Sequence, residues 1–298
     1  MGSRVAEISV KSPKKAASYD PRDMSVALKR GLEMLSGMGW KKYLASRFGK
    51  RARVSIKVNC LGVPGIQTRM AVAYGIADLL VQAGLSESNV TVWDRQNDEL
   101  VRAGFRLNYS SSGIRCFGTD TYGVGYESKL TVNGEVGSLL SRILTRMSDF
   151  VISVPVLKDH ILCGYTGTMK NFFGAIHNPN KYHMNGCTPY ILDLFSAPVV
   201  KNRVVLSILD GTFVQCNGGP SFNARWREEG RVLYVAEDPV SLDQAGYEKL
   251  EELRRSRGLP SLREEKRFPQ YIFDAALPPY ELGVAGEGVE TVREVVGL

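Results

Sequence analysis

The strongest constraint on the fold is a strand, helix, strand pattern in the first third of the chain. Residues 52-ARVSIKVN-59 alternate between apolar and polar side chains, as a buried strand does. The segment 68-TRMAVAYGIADLLVQAG-84 has helical apolar spacing and ends at a glycine, and the strand 90-VTVWD-94 follows it. A parallel pair of strands joined through a helix needs a right-handed crossover. We therefore predict an α/β fold with an open, mostly parallel (Rossmann-like) sheet flanked by helices.

The same alternation continues along the rest of the chain. Residues 22–48 have helical spacing, and Asn133-Gly134 is a type I′ turn signal that predicts an antiparallel hairpin around residues 130–137. Further helices are predicted over 97–105, 138–149, 188–198 and 239–258, and further strands over 114–118, 150–156, 203–211 and 231–239. We expect an N-terminal extension at 1–21 and a single α/β domain at 22–298, the alternative being two α/β lobes that meet near 150–200.

Composition excludes several classes of protein. Hydrophobic residues make up 44% of the 298 and charged residues 23%, which is typical of a chain that buries a sizeable core. The five cysteines are odd in number and include no C-x-x-C pair, so the sequence contains neither a disulfide framework nor an iron–sulfur cluster motif. No apolar run reaches the roughly 18 residues of a membrane span. We expect a cytoplasmic protein, the alternative being an exported one whose leader has been removed.

The charge balance indicates the kind of partner. The net charge is +7, which favours anionic ligands. The basic residues are scattered, and no helix-turn-helix or aromatic RNA-binding strand is present, so nucleic acid is not expected as a partner. A small anionic ligand is the expected partner, and the sequence does not indicate the oligomeric state.

Polar side chains follow several of the predicted strands. Lys57 and Asn59 end the first strand, Asp94 ends the second, and Lys158 with His160 follows the strand 150–156. Asp210 ends a further predicted strand. Because the carboxyl ends of parallel strands meet in one crevice, these side chains are expected to share a ligand site.

The segment 155-PVLKDHILCGYTGTMKNFFGAIHNPNKYH-183 contains the richest cluster of chemical groups. Its turn 164-GYTG-167 precedes a predicted helix over 168–176, and lysines stand on both sides of the turn. Free backbone N–H groups at a helix start bind anions, so we predict an anion site there. The predicted ligand-binding residues are Lys57, Asn59, Asp94, Gly164, Thr166, Gly167, Asn171, Lys181 and Asp210, and the predicted catalytic residues are His160, Lys158 and Lys170.

All three histidines of the chain, His160, His177 and His183, lie in this segment. Three interpretations remain open. They are ligands of a transition metal such as zinc, iron or nickel, or acid–base groups that move protons near neutral pH, or polar residues that hydrogen-bond to irregular backbone. We expect all three to line one surface together with Lys158 and Lys170.

Several motifs resemble a known family. The strand 54-VSIKVN-59 is close to an "IKPN" motif, residues 154–183 are close to a "PVLKTH…GVTLALKNLFG" core, and 237-EDPVSLDQAG-246 is close to "DPVALDAVG". These features make the chain similar, over roughly residues 50–298, to proteins with domain of unknown function 362. Some members carry a ferredoxin-type four-cysteine module, which implies a link to redox metabolism, but this chain lacks the module.

Two hypotheses about function follow. The first is an enzyme that acts on a small anionic substrate in redox or metal-linked metabolism. The alternative is a binding or carrier protein for a metal, cofactor or anion that performs no chemistry. The missing nucleophile, base and orienting group motivate the alternative.

Overall fold

The fold is a large mixed sheet with helices on both faces, and it is described by a computed structural model over residues 2–298. The strands are β1 (Ser3–Lys11), β2 (Val54–Val58), β3 (Val90–Trp93), β4 (Arg115–Cys116), β5 (Thr131–Asn133), β6 (Val136–Ser138), β7 (Phe150–Val154), β8 (Val156–His160), β9 (Gly164–Thr166), β10 (Val204–Gln215), β11 (Arg227–Ala236) and β12 (Val289–Gly297). The α-helices are α1 (Pro21–Ser36), α2 (Trp40–Arg47), α3 (Met70–Gln82), α4 (Asn97–Arg102), α5 (Arg142–Arg146), α6 (Thr168–Asn171), α7 (Tyr190–Ser196), α8 (Pro198–Lys201), α9 (Pro239–Ser256) and α10 (Gln270–Asp274).

The sheet confirms the predicted α/β class. Its order is β12-β1-β11-β10-β7-β2-β3-β4, and β10, β7, β2, β3 and β4 are mutually parallel neighbours. Strand β11 is antiparallel to both of its neighbours. Residues 3–11, which we assigned to an N-terminal extension, lie within this sheet as β1, between β11 and β12.

Successive residues of the central strands point to opposite faces, as a strand requires. Ile152 and Ile208 pack with α1, α2 and α3 on one face, whereas Val151 and Leu209 pack with α5, α7 and α9 on the other. The two buried cores explain why the central strands are apolar on both sides. Among the described residues, no helix is both long and apolar enough to cross a membrane.

The sheet extends further than predicted near the candidate site. Strand β7 ends before Pro155, but the chain continues as β8, which pairs with β10 from Asp210 onwards and forms an antiparallel hairpin with β9. In this hairpin Lys158 lies opposite Thr166, and His160 lies opposite Gly164. Lys158 and His160 are therefore buried strand residues and not loop residues.

Three local predictions need correction. The helical pattern over 22–48 forms two helices, because Gly37 adopts a left-handed φ of 68° and ends α1. The helix predicted over 138–149 is short, because its first residue pairs in β6. The predicted hairpin is present as β5 and β6, but Asn133 pairs with Val136 and only Gly134 has a positive φ in the two-residue loop, which is the type II′ pattern.

Candidate functional site

A cavity of about 440 Å³ opens where β2, β3 and β8 end. This volume is in the range of small-molecule sites. Nine of the predicted site residues line it, namely Lys57, Asn59, Asp94, Lys158, His160, Thr166, Lys170, Asn171 and His183. Strand ends and the short helix α6 thus bring together residues that are up to 126 positions apart in the chain.

Lys57 and Asp94 form a buried ion pair in the cavity wall. Lys57 Nζ lies 2.7 Å from Asp94 Oδ1 and also donates to the carbonyl oxygen of Val58 at 2.6 Å. Asp94 Oδ2 accepts a hydrogen bond from the Cys60 amide at 2.7 Å. These two charges are satisfied by each other and by the backbone, so their first role is to hold the ends of β2 and β3 together.

Lys158 is a buried cation without a carboxylate partner. Its side chain is fully buried, and Nζ donates to Asn59 Oδ1 at 2.9 Å and to the carbonyl oxygen of Ile66 at 3.3 Å. Burial lowers the pKa of Lys158 to about 8, while the negative charge of Asp94 opposes that shift. Within residues 2–298 no carboxylate lies within salt-bridge distance of this ammonium group.

Lys170 is the second such cation, and it projects from α6. Its residue is 6% exposed, Nζ lies 3.2 Å from His183 Nε2, and the ammonium group lies 4.3 Å from the centre of the Phe173 ring. The part of the chain that the structure describes gives it no ion pair. Two buried ammonium groups therefore face one cavity without an ion pair to any described residue.

His160 and His183 are neutral hydrogen-bonding groups in this cavity. Their rings stack with centroids 5.5 Å apart. His160 Nδ1 accepts from the Leu162 amide at 3.2 Å, so its proton is on Nε2, and burial with the charge of Lys170 lowers its pKa to about 2. His183 Nδ1 donates to the carbonyl oxygen of Pro179 at 3.0 Å, which leaves Nε2 to accept from Lys170. Burial and then Lys170 lower the pKa of His183 as well.

His177 does not line this cavity. Its Nδ1 lies 3.2 Å from Ser138 Oγ and from the Leu139 amide, and its ring packs edge-on to Tyr126. The reason is a backbone bond from the His177 amide to the carbonyl oxygen of Leu139, which ties this residue to the end of β6. The structure thus brings two of the three histidines together.

The side chains do not fit the transition-metal site considered from the sequence. Within the described chain, no three His, Cys, Asp or Glu side chains form a group that could hold a metal ion. The five cysteines are buried and unpaired. His160 uses one ring nitrogen and His183 uses both to bind the protein, as described above, and we assign no metal to them.

The hydroxyl of Thr166 is an unpartnered polar group in the same wall. Thr166 is 3% exposed, it lines the cavity, and its Oγ1 has no hydrogen-bond partner among the described residues. A buried hydroxyl without a partner costs about 1–3 kcal/mol. A bound ligand or water that accepts from it would remove this cost.

Four other predicted residues lie outside the cavity. The N–H groups at the start of α6 are not free, because Thr168 and Met169 donate to the carboxylate of Asp243. Gly164 and Gly167 are needed for close packing instead: a Cβ on either would overlap the Arg267 carbonyl oxygen or the Asp243 carboxylate, respectively.

Asp210 and Lys181 also have other surroundings. Asp210 is buried inside β10, and its carboxylate accepts from the amides of Arg69 and Thr212 and from the Thr212 hydroxyl. Lys181 is exposed and lies over the Tyr182 ring. Asp210 thus fixes the backbone at Arg69 and Thr212, and neither Asp210 nor Lys181 lines the cavity.

Sequence reasoning missed part of the lining. Glu99 lines the cavity from the first turn of α4, and Leu61, Ile161 and Leu162 line it from loops. Two consecutive apolar residues in the tight hairpin loop between His160 and Gly164 were an available signal, because such loops are usually polar. Asp243, which caps α6, lies in the motif 237–246 that we used only for the family resemblance.

Comparison with known proteins gives a family and no activity. The crystal structure of a protein from Thermotoga maritima, a structural genomics target, is similar with a TM-score of 0.41 and 14% identity, over 74% of this chain and 58% of that chain. This chain therefore spans less than two thirds of that protein's length. No curated protein matches the sequence. The family model described as Domain of unknown function (DUF362) matches residues 54–248, and the chain therefore belongs to that family.

Proposed function

We propose that the protein is an enzyme whose cavity, with the buried Lys158 and Lys170 in its wall, binds a small organic anion. The observation that carries this proposal is the pair of buried ammonium groups, which form no ion pair with a carboxylate of the described chain and face a cavity of ligand size. A buried charge is costly unless an opposite charge and hydrogen bonds compensate it. An anionic ligand supplies both.

The cavity offers hydrogen-bond donors beside these cations. Among residues 2–298 the Thr166 hydroxyl has no hydrogen-bond partner, and His160 carries its proton on Nε2, which bonds to none of these residues. In a low-dielectric wall, donors of this kind fix the orientation of an anionic group. We assign anion binding to Lys170, Thr166 and His160.

Lys158 is the group we assign to proton transfer. With a pKa lowered to about 8, about a tenth of the molecules carry the free amine at pH 7. The amine takes a proton from the bound substrate and becomes an ammonium group, and the same ammonium group returns a proton to the product. Asn59 Oδ1 and the Ile66 carbonyl oxygen orient Nζ in this step.

Calorimetric titration with a panel of C2–C8 carboxylates tests the binding part of the proposal. Lys170→Met removes a buried cation of the ligand site, so we expect affinity to fall about 30-fold or more. Lys181→Met is the matched control, since this lysine lies eleven positions further along the chain, is exposed and does not line the cavity. Equal affinity in the Lys170→Met variant and the wild type would contradict the proposal.

Deuterium uptake from D₂O separates an enzyme from a carrier. An enzyme should catalyse exchange of an acidic hydrogen in at least one bound 2-oxo or 2-hydroxy acid of the panel, and Lys158→Met should abolish the exchange while the ligand still binds. Binding without exchange or other turnover would favour the non-catalytic carrier, for which the same cavity would serve.

A further inference from the structure

Apolar side chains surround the mouth of the same cavity. Leu61, Ile161 and Leu162 line it, yet they remain 55%, 60% and 50% exposed. Single exposed apolar residues are common on protein surfaces. Here three of them lie on two different loops around one opening, so we define Leu61, Ile161 and Leu162 as the apolar rim.

The loop that carries two of these side chains is held in place by the protein. The Ile161 amide donates to the carbonyl oxygen of Gly219 at 2.9 Å, and the Leu162 amide donates to His160 Nδ1 at 3.2 Å. Asp159, at the base of the loop, accepts from the Gly219 amide at 3.0 Å. These bonds fix the backbone while leaving both apolar side chains exposed, so the exposure is built into the hairpin.

The cavity is therefore charged in its buried part and apolar at its mouth. Lys158 and Lys170 lie in the buried wall, the Phe173 ring lies beside Lys170, and the apolar rim is outermost. A ligand that matches both regions has an anionic group at one end and an apolar chain or ring at the other.

The lining also bears on the kind of anionic group. Asp94 is paired with Lys57, and the remaining charged residues of the lining are Arg95, Lys158, Lys170 and Glu99, so the walls attract an anion. The amides of Thr168 and Met169, which would otherwise suit a phosphate, are occupied by Asp243. Because these amides are not free to bind a phosphate, we take a carboxylate as the anionic group of the ligand.

We propose that the substrate class is amphipathic carboxylates, whose carboxylate lies at Lys170, Thr166 and His160 and whose apolar chain or ring lies over Leu61, Ile161 and Leu162. This inference rests on the proposed anion site and names the substrate class of that site. Covering the rim with the ligand chain removes exposed apolar surface from water, so affinity should rise about two- to fourfold per added methylene.

The test is a titration series with acetate, butyrate, hexanoate and octanoate at one pH and ionic strength, with NMR chemical shifts used for the weak members. The wild type should bind each longer acid more tightly. The double variant Ile161→Asn/Leu162→Asn should keep the wild-type affinity for acetate and lose most of the increase with chain length. Both side chains are exposed, so folding should be unaffected, and thermal unfolding checks this.

Two further variants separate the possible results. Val132→Asn, at a somewhat more exposed position (68%) outside the cavity, should leave the chain-length dependence unchanged. Lys170→Met should weaken every member of the series by a similar factor. Equal affinity of the wild type for all four acids, or an undiminished increase in the double variant, would overturn the inference and leave the anion site standing. Absence of binding by any acid would overturn the anion site itself.

Discussion

Replacing Lys158 by methionine should stabilise the ligand-free protein at pH 7, because the buried charge of Lys158 destabilises the folded state. A pKa lowered from 10.5 to about 8 corresponds to about 3 kcal/mol of destabilisation when the group is charged. Methionine fills a similar volume without a charge, but it loses the hydrogen bonds to Asn59 Oδ1 and the Ile66 carbonyl oxygen. At about 1 kcal/mol for each bond, the variant should be more stable by about 1 kcal/mol.

The pH dependence of this effect has a definite sign. The folded-state pKa of Lys158 lies below the unfolded value, so its cost is fully present below about pH 8 and disappears as the pH rises towards 10.5. At pH 10 less than about 1 kcal/mol of the cost remains, and the lost hydrogen bonds outweigh it. The variant should therefore be less stable than the wild type by about 1 kcal/mol at pH 10.

Urea unfolding at pH 7 and pH 10 measures both differences. Lys57→Met is the matched control, because Lys57 is equally buried but paired with Asp94 at 2.7 Å. Breaking that pair leaves a buried carboxylate without its partner and should cost about 3–5 kcal/mol at pH 7. A Lys158→Met variant that is less stable at pH 7, with a difference independent of pH, would refute the view that Lys158 is an uncompensated buried cation.

Two further predictions concern the hairpin and the histidines. Gly164→Ala should lower the free energy of unfolding by more than about 3 kcal/mol in urea, because φ is +76° and a Cβ would overlap the Arg267 carbonyl oxygen. The control Gly84→Ala, at φ +112° with open space around it, should lower it by about 1–2 kcal/mol. Similar losses of stability at both positions would contradict the packing described for β9. Nitrogen-15 NMR should show the Nε2–H form of His160 and the Nδ1–H form of His183. His160 should not become protonated down to pH 5, because burial and Lys170 lower its pKa to about 2. A titration midpoint of His160 near 6.5 would contradict the hydrogen bonding described for its ring.

The sheet and part of the site could be predicted because both follow from local patterns. Alternation in 52–59 and 90–94 identified two parallel neighbours, and the convergence of strand ends placed Lys57 and Asp94 on one wall. The lysines on either side of 164–167 were also expected to face one ligand. These inferences needed only strand direction and the position of polar residues along each strand.

The features of the sheet and the site that were not predicted depend on contacts between distant parts of the chain. Asp243 occupies the amides at the start of α6 from 75 positions away, and no pattern near the turn 164–167 indicates this. The predicted strand ended at Val156, but pairing of β8 with β10 and β9 continues the sheet to His160. His177 is tied to the backbone of Leu139, so proximity in sequence did not place it beside the other histidines.

A crystal structure of the protein with hexanoate tests the central claim most directly. The account predicts electron density in the cavity, with a carboxylate oxygen within about 3.2 Å of Lys170 Nζ and the alkyl chain in contact with Leu162. Hexanoate bound only outside the cavity, or bound with its carboxylate at the mouth and its chain against the lysines, would contradict the account.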